Sequence, residues 1–183
     1  MIKISENLFL RAITSNDAEI LFKLMKEVYP AAYHHFWEDS GNWYVNTQYT
    51  KENVLKELKQ LNADYYFVIF NDEIMGNLRI IWDEQLTGLQ KEKQVKLHRV
   101  YLHKKIQGKG IGKQLFNWLE TEVLKKGYKI IWLETMNAQP QAFEFYKKLG
   151  FKYHSHNFLP FNLMFKEMRK ISQVYKNLDK ITL

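Results

Sequence analysis

Between Val95 and Leu124 the chain passes from an alternating strand through Gln107-Gly108-Lys109-Gly110-Ile111-Gly112 directly into a helical stripe. No other stretch constrains the fold as strongly. Three glycines in five residues open backbone conformations closed to other residues. A helix that starts right after such a turn leaves its first N–H groups without intrahelical acceptors. Those N–H groups, the positive end of the helix dipole and the charges of Lys105, Lys109 and Lys113 make a cradle suited to a diphosphate. A plain tight turn with solvated lysines would use the same residues. Two familiar phosphate motifs are excluded by spacing. The glycines are evenly spaced, unlike a dinucleotide fingerprint, and Lys113 is followed by Gln114 rather than Ser or Thr, unlike a P-loop.

Periodicity supplies the surrounding elements. Residues 2–11 alternate as a strand. Ser15, Asn16 or Asp17 caps a helix carrying Ile20, Leu21, Leu24, Met25 and Val28, which Pro30 ends. Thr50 opens a second helix with Val54, Leu55, Leu58 and Leu61 on one face. Tyr65–Phe70 and Glu73–Trp82 form a hairpin about Asn71-Asp72, and a polar loop covers 83–93. Val95–Leu102 is the fourth predicted strand. The helix after the glycine turn buries Leu115, Phe116, Trp118, Leu119 and Val123 and stops at Gly127. Residues 129–135 form the fifth strand. Pro140 opens a helix that Gly150 closes. Residues 151–156 and 161–168 pair as the last strands, and Ile171, Val174, Tyr175 and Leu178 predict a helical tail over 169–183 after a domain of residues 1–168. The fold class is α/β (α+β), with a mixed sheet of about seven strands and helices on both faces.

Composition narrows the chemistry. The 183 residues carry no cysteine, which excludes disulfides, thiolate metal sites and a thiol nucleophile. No apolar run reaches the roughly 20 residues of a membrane span, and the N-terminus lacks the layout of a signal peptide, so a cytoplasmic location is expected. A net charge of +7 admits nucleic acid, an acidic membrane or a phosphorylated cofactor as partner. The lysines are scattered rather than gathered in one stripe, which disfavours nucleic acid. Aromatics reach 15%, many of them between Tyr29 and Tyr49.

Gln107, Gly110 and Gly112, after His98-Arg99-Val100-Tyr101-Leu102, resemble motif A of the GNAT superfamily of acetyl-CoA-dependent N-acetyltransferases. Ala142-Phe143-Glu144-Phe145-Tyr146-Lys147-Lys148-Leu149-Gly150-Phe151 is similar to the same family's motif B. Together the two blocks cover about 80 residues in the expected structural context. The resemblance implies a GNAT-like, mostly antiparallel sheet splayed between strands four and five. It implies acetyl-CoA as co-substrate, with its pantetheine arm on Val100 and Leu102 and its diphosphate on Gln107, Gly108, Lys109, Gly110, Ile111, Gly112 and Lys113. It also implies Tyr146 as a cofactor contact and the acid that protonates the departing thiolate, with the Val100 N–H stabilising the oxyanion.

Two positions depart from the family pattern. Where many relatives carry Glu on strand four this chain has Lys96, leaving His98 on the same strand face as the candidate base, Glu134 as a second and water as a third. Where relatives often place Asn before the motif B helix stands Gln139, with Asn137 two residues earlier; Gln139 is expected to contact the cofactor arm. The acceptor site falls to Tyr33, Phe36, Trp37 and Glu38, with Asp39 beside them, where aromatic faces and carboxylates suit a primary amine; simple packing of the segment uses the same residues. The pair His34-His35 is too little for a metal site, and none is expected. The block order resembles polyamine and diamine acetyltransferases more than ribosomal-protein ones, and a peptide amine is the other acceptor class. A homodimer is compatible with the sequence. Two other readings are a CoA-binding sensor or scaffold without turnover, prompted by the absent strand-four Glu, and a nucleic-acid-binding module, prompted by the charge.

Overall fold

The computed structural model describes residues 1–89 and 92–178. Residues 90 and 91 of the predicted loop, and 179–183 of the predicted tail, lie outside the described residues. The strands are β1 (Ile2–Lys3), β2 (Leu8–Ala12), β3 (Ala63–Phe70), β4 (Glu73–Trp82), β5 (Gln94–Leu102), β6 (Ile130–Met136), β7 (Lys152–Phe158) and β8 (Lys170–Asn177). The helices are α1 (Ala18–Tyr33), α2 (Asn42–Gln48), α3 (Lys51–Leu58), α4 (Ile111–Lys125) and α5 (Pro140–Lys148). One eight-stranded sheet runs in the order β1-β2-β3-β4-β5-β6-β8-β7. It is antiparallel except where β5 meets β6. Two apolar cores lie on its two faces. One, centred on Leu115, Phe116 and Leu119, packs under α4 and α5. The other, centred on Leu21, Met25, Phe36 and Phe67, packs under α1, α2 and α3. No helix among the described residues is long and apolar enough to cross a membrane.

Local signals set most of these elements. The Thr50 hydroxyl accepts the Asn53 N–H at 3.1 Å and caps α3 as expected. Asn71 and Asp72, at φ 50° and 63°, form the two-residue turn of the β3–β4 hairpin. Four expectations are corrected. Residues 2–11 are two strands, because the N–H groups of Ile4 and Ser5 both turn back to the Leu8 carbonyl. Pro30 does not end α1, which continues to Tyr33; there Tyr29 and Tyr33 gain aromatic packing that offsets the missing N–H. Leu61 lies beyond α3 and is fully exposed.

The fourth correction changes the sheet. Residues 161–168 form no strand. Arg169 donates to the carbonyls of Met164 and Asn162 and holds the segment as a loop, with one bridge from Met164 to Trp37. The described part of the tail is not helical. Lys170–Asn177 is β8, inserted between β6 and β7 with Ser172 and Val174 buried at alternate positions. Seven residue pairs with β6 outweigh the helical spacing of Ile171, Val174, Tyr175 and Leu178.

Candidate functional site

Predicted strands four and five are β5 and β6. They pair only from Gln94↔Ile130 to Leu97↔Leu133 and then diverge. At the divergence β5 carries a bulge: Leu97 faces Ile80, Arg99 faces Arg79, and His98 is the extra residue. The bulge turns the consecutive side chains of His98 and Arg99 to the α3 side of the sheet. Beyond it Val100 and Leu102 join the α4 core, while Tyr101 joins the core under α1.

Backbone direction follows from one bond. The His103 N–H reaches the Met75 carbonyl at 2.7 Å. Alternation along an antiparallel pair then aims Tyr101 and Arg99 at β4, and the N–H and C=O groups of Val100 and Leu102 into the gap beside β6. The Leu102 carbonyl accepts the Gln107 side-chain amide there at 3.0 Å.

The gap joins the two faces of the sheet as a cavity of about 260 Å³. Val100, Ala142 and Tyr146 line it from the α4–α5 side, and Tyr29, Tyr33, Tyr44 and Tyr101 line it from the α1–α2 side. Leu159, Phe161 and Met164, on the β7–β8 connection, close its end. The four tyrosines pack on one another. Tyr29 stacks on Tyr44 at 4.3 Å and on Tyr33 at 4.9 Å, and the Tyr44 and Tyr101 hydroxyls are 3.3 Å apart. Burial, then the neighbouring Tyr33, raises the Tyr146 phenol well above its ordinary pKa, so its proton is held at neutral pH.

At the glycine turn, Gly110 has φ 76° and caps α4. The first N–H bonded within the helix is that of Gln114, to the Gly110 carbonyl at 3.1 Å. The N–H groups of Ile111, Gly112 and Lys113 precede it. A Cβ built on Gly108 or Gly110 would meet no atom within 4 Å, so the concavity before those N–H groups is open. Lys105, Lys109 and Lys113 stand exposed around it. This donor set fits an anionic diphosphate.

Several expected residues serve elsewhere. His98 lines the cavity but does not suit the role of base. Its Nδ1 accepts from Arg79 Nη1 at 2.6 Å, and a guanidinium only donates, so the ring proton sits on Nε2. Burial, then the charges of Arg99, Arg79 and Lys96, push its pKa down to about 2. It enters the cavity as an N–H donor. Lys96 is ion-paired with Glu134 at 2.8 Å. The other Glu134 oxygen accepts from Gln173 at 3.2 Å.

Gln139 turns away from the gap and donates to the Ala32 carbonyl at 2.7 Å, tying the start of α5 to the end of α1. The Asn137 side chain accepts from Ser172. Of the expected acceptor residues only Tyr33 lines the cavity. Phe36 and Trp37 are core, the latter donating to the Tyr29 hydroxyl at 3.1 Å. Glu38 is exposed outside it, and Asp39 accepts the Gly41 and Trp43 N–H groups at the start of α2. His34 and His35 are exposed, and the described residues contain no group of three His, Asp or Glu able to hold a metal.

Known proteins share this architecture. The sequence model of the acetyltransferase (GNAT) family matches residues 22–151. An uncharacterised N-acetyltransferase in the pepI 3′ region of Lactobacillus delbrueckii subsp. lactis is 27% identical over 94 residues. That match takes in 51% of this chain and spans about half, 54%, of the relative. The PaiA N-acetyltransferase of Thermoplasma acidophilum, solved with coenzyme A, superposes with a TM-score of 0.72 at 20% identity, over 93% of this chain and 98% of that one. RimL, a ribosomal L7/L12 α-N-protein acetyltransferase solved with coenzyme A, gives 0.72 at 17% identity, over 97% and 98%. A chimera of the Vibrio cholerae spermidine N-acetyltransferase SpeG gives 0.66 at 16% identity, over 94% and 96%.

Proposed function

The chain belongs to the acetyltransferase (GNAT) family, and from that premise we propose that it transfers an acetyl group from acetyl-CoA to a primary amine while both are bound. The observation that carries this reading is the gap between β5 and β6, which opens one cavity to both faces of the sheet beside Tyr146. Bound there, acetyl-CoA supplies an activated thioester acyl group. The N–H groups of Ile111, Gly112 and Lys113 hold its diphosphate, and Lys105, Lys109 and Lys113 add charge. The gap-facing backbone of Val100 and Leu102 aligns its arm as a further strand would.

Holding both reactants in one cavity removes the entropic cost of a bimolecular encounter. The N–C bond forms as the C–S bond breaks. The amine gives up one proton, and the leaving thiolate takes one. Tyr146 is the donor to the thiolate, because its phenol keeps a proton at neutral pH and lines the cavity from α5. Among the described cavity residues Glu134 is the one carboxylate, so it is the acceptor for the amine proton. Each of its oxygens spends one lone pair, on Lys96 and on Gln173, and keeps another.

Thermal unfolding with and without acetyl-CoA, followed by thiol release across an amine panel, tests this reading. Ligand at 100 times its Kd stabilises by about 2.7 kcal/mol, a rise of roughly 5–11 °C for a domain this size. An unchanged midpoint in excess acetyl-CoA refutes cofactor binding. A raised midpoint with no thiol release from any amine marks a CoA-binding protein without turnover.

A further inference from the structure

The acceptor end of the cavity carries a positive charge that the transfer chemistry does not use. Arg79 on β4 and Arg99 on β5 face each other in register, and both are buried, at 2% and 5% exposure. Glu57 of α3 is the one carboxylate between them, 2.5 Å from Arg99 Nη1 and 3.8 Å from Arg79 Nε. Two guanidiniums share that carboxylate; Glu84 acts on Arg79 from farther away, and the rings of Tyr49 and Tyr65 lie 4.9 and 5.9 Å from Arg99. The neutral partners only accept hydrogen bonds: Gln60 and His98 from Arg79, and the Tyr65 hydroxyl from Arg99. Arg99 spends Nη1 on Glu57 and Tyr65. Its Nε is buried with no acceptor, and its Nη2 has none among the described residues.

Arg99 and His98 both line the cavity. Glu134, the other ionised group on that wall, is already matched by Lys96. Arg99 is ion-paired with Glu57 through Nη1 alone, so its unspent donors at the cavity wall suit an anionic acceptor, with which a guanidinium makes its strongest hydrogen bonds. A polycation meets the opposite: Glu134, the one carboxylate among the described cavity residues, is already paired with Lys96, and Arg99 is a like charge.

Resting on the acetyl-transfer reading, we infer that the acceptor is an amine that carries its own carboxylate, an amino-acid-like molecule with an apolar or aromatic flank, and that Arg99 holds that carboxylate. The His98 Nε2–H is the second donor on the same wall. The rings of Tyr29, Tyr33 and Tyr44 face the flank.

The test compares amines that differ only in the carboxylate: phenylalanine against phenethylamine, and leucine against 3-methylbutylamine, with spermidine as the polycation. Thiol release from acetyl-CoA gives kcat/KM for each. The same pairs are titrated calorimetrically into the CoA-saturated protein. A hydrogen-bonded charge pair supports a preference for the acids of at least about 30-fold in both measurements. Arg99→Gln, which leaves Arg79 and Glu57 matched one to one, brings that preference below about 3-fold while acetyl-CoA still raises the melting midpoint. Equal or faster turnover of the decarboxylated amines or spermidine overturns the carboxylate assignment and leaves acetyl transfer standing. Thiol release from no member of the panel overturns both.

Discussion

Removing the charge of Glu57 without its shape is the most direct perturbation of the buried arginines. In Glu57→Gln, Arg79 and Arg99 remain side by side at 3% and 4% side-chain exposure with no anion between them. Breaking a buried ion pair by deleting one partner costs about 3–5 kcal/mol, since the survivor stays desolvated. Here two cations survive, so the upper part of that range applies. For a domain of this size the loss lowers the melting midpoint by roughly 8–20 °C. Urea unfolding with an unchanged m-value is the measure. Lys23→Ala, which breaks the exposed Glu19–Lys23 pair, should leave the midpoint in place. Adding Arg99→Gln to Glu57→Gln removes one of the two cations, so the double variant should be more stable than Glu57→Gln alone. A Glu57→Gln loss below about 1 kcal/mol, or a double variant weaker than the single, would show that water already reaches these guanidiniums and that their charge is not confined beside the cavity.

Tyr146→Phe should lower kcat by roughly 100-fold through loss of its proton, with the acetyl-CoA-induced rise in melting midpoint retained; unchanged turnover removes Tyr146 from the chemistry. Gly110→Ala forces a side chain into φ 76° and should cost about 1–2 kcal/mol in urea, along with a smaller acetyl-CoA shift, despite the open space around it. Burial raises the Asp17 carboxyl, but hydrogen bonds from Arg11 and Thr14 outweigh it and hold the pKa below the ordinary 3.8. Its stabilisation is therefore complete above pH 3.8 and fades as pH falls through the lower folded-state value. The stability gap between wild type and Asp17→Asn should accordingly narrow in acid urea titrations, and a gap that widens there contradicts the sign.

What the sequence made legible is what local chemistry decides. The glycine turn, the Thr50 cap, the Asn71-Asp72 hairpin and the Pro140 helix start each depend on a few neighbouring residues. The splay between β5 and β6 came with the family resemblance, and the sheet bears it out. The aromatic wall of the cavity was not legible in the same way. Tyr29, Tyr44 and Tyr101 come from three elements and meet only in the folded chain. Phe36 and Trp37 had the composition of a binding wall but pack inward. The strand Lys170–Asn177 was hidden because Ile171, Val174 and Tyr175 satisfy helical spacing as well as strand pairing, and only β6 and β7 on either side decide between them. One available signal went unused. Arg79 in Asn77-Leu78-Arg79-Ile80-Ile81 and Arg99 in Leu97-His98-Arg99-Val100 are cations inside apolar strands, and a buried cation needs a partner or a purpose.

The bulge at His98 connects these features. Without an extra residue, Arg99 would continue the alternation of Val95 and Leu97 into the apolar core under α4, away from Glu57. With it, Arg99 meets Glu57 on the opposite face, while Val100 and Leu102 regain the α4 core and aim their free backbone edge at the gap. On the far side, β6 past Leu133 is held by its pairs with β8, at Glu134↔Gln173, Thr135↔Ser172 and Met136↔Ile171. Each wall of the gap is thus bound to its own outer neighbour, β4 or β8, and neither depends on the other for hydrogen bonds. An open edge inside a sheet normally invites pairing. Here each strand follows the ladder on its outer side, so the gap runs through the sheet as a channel with a backbone edge on one wall and the buried Arg99 on its lining.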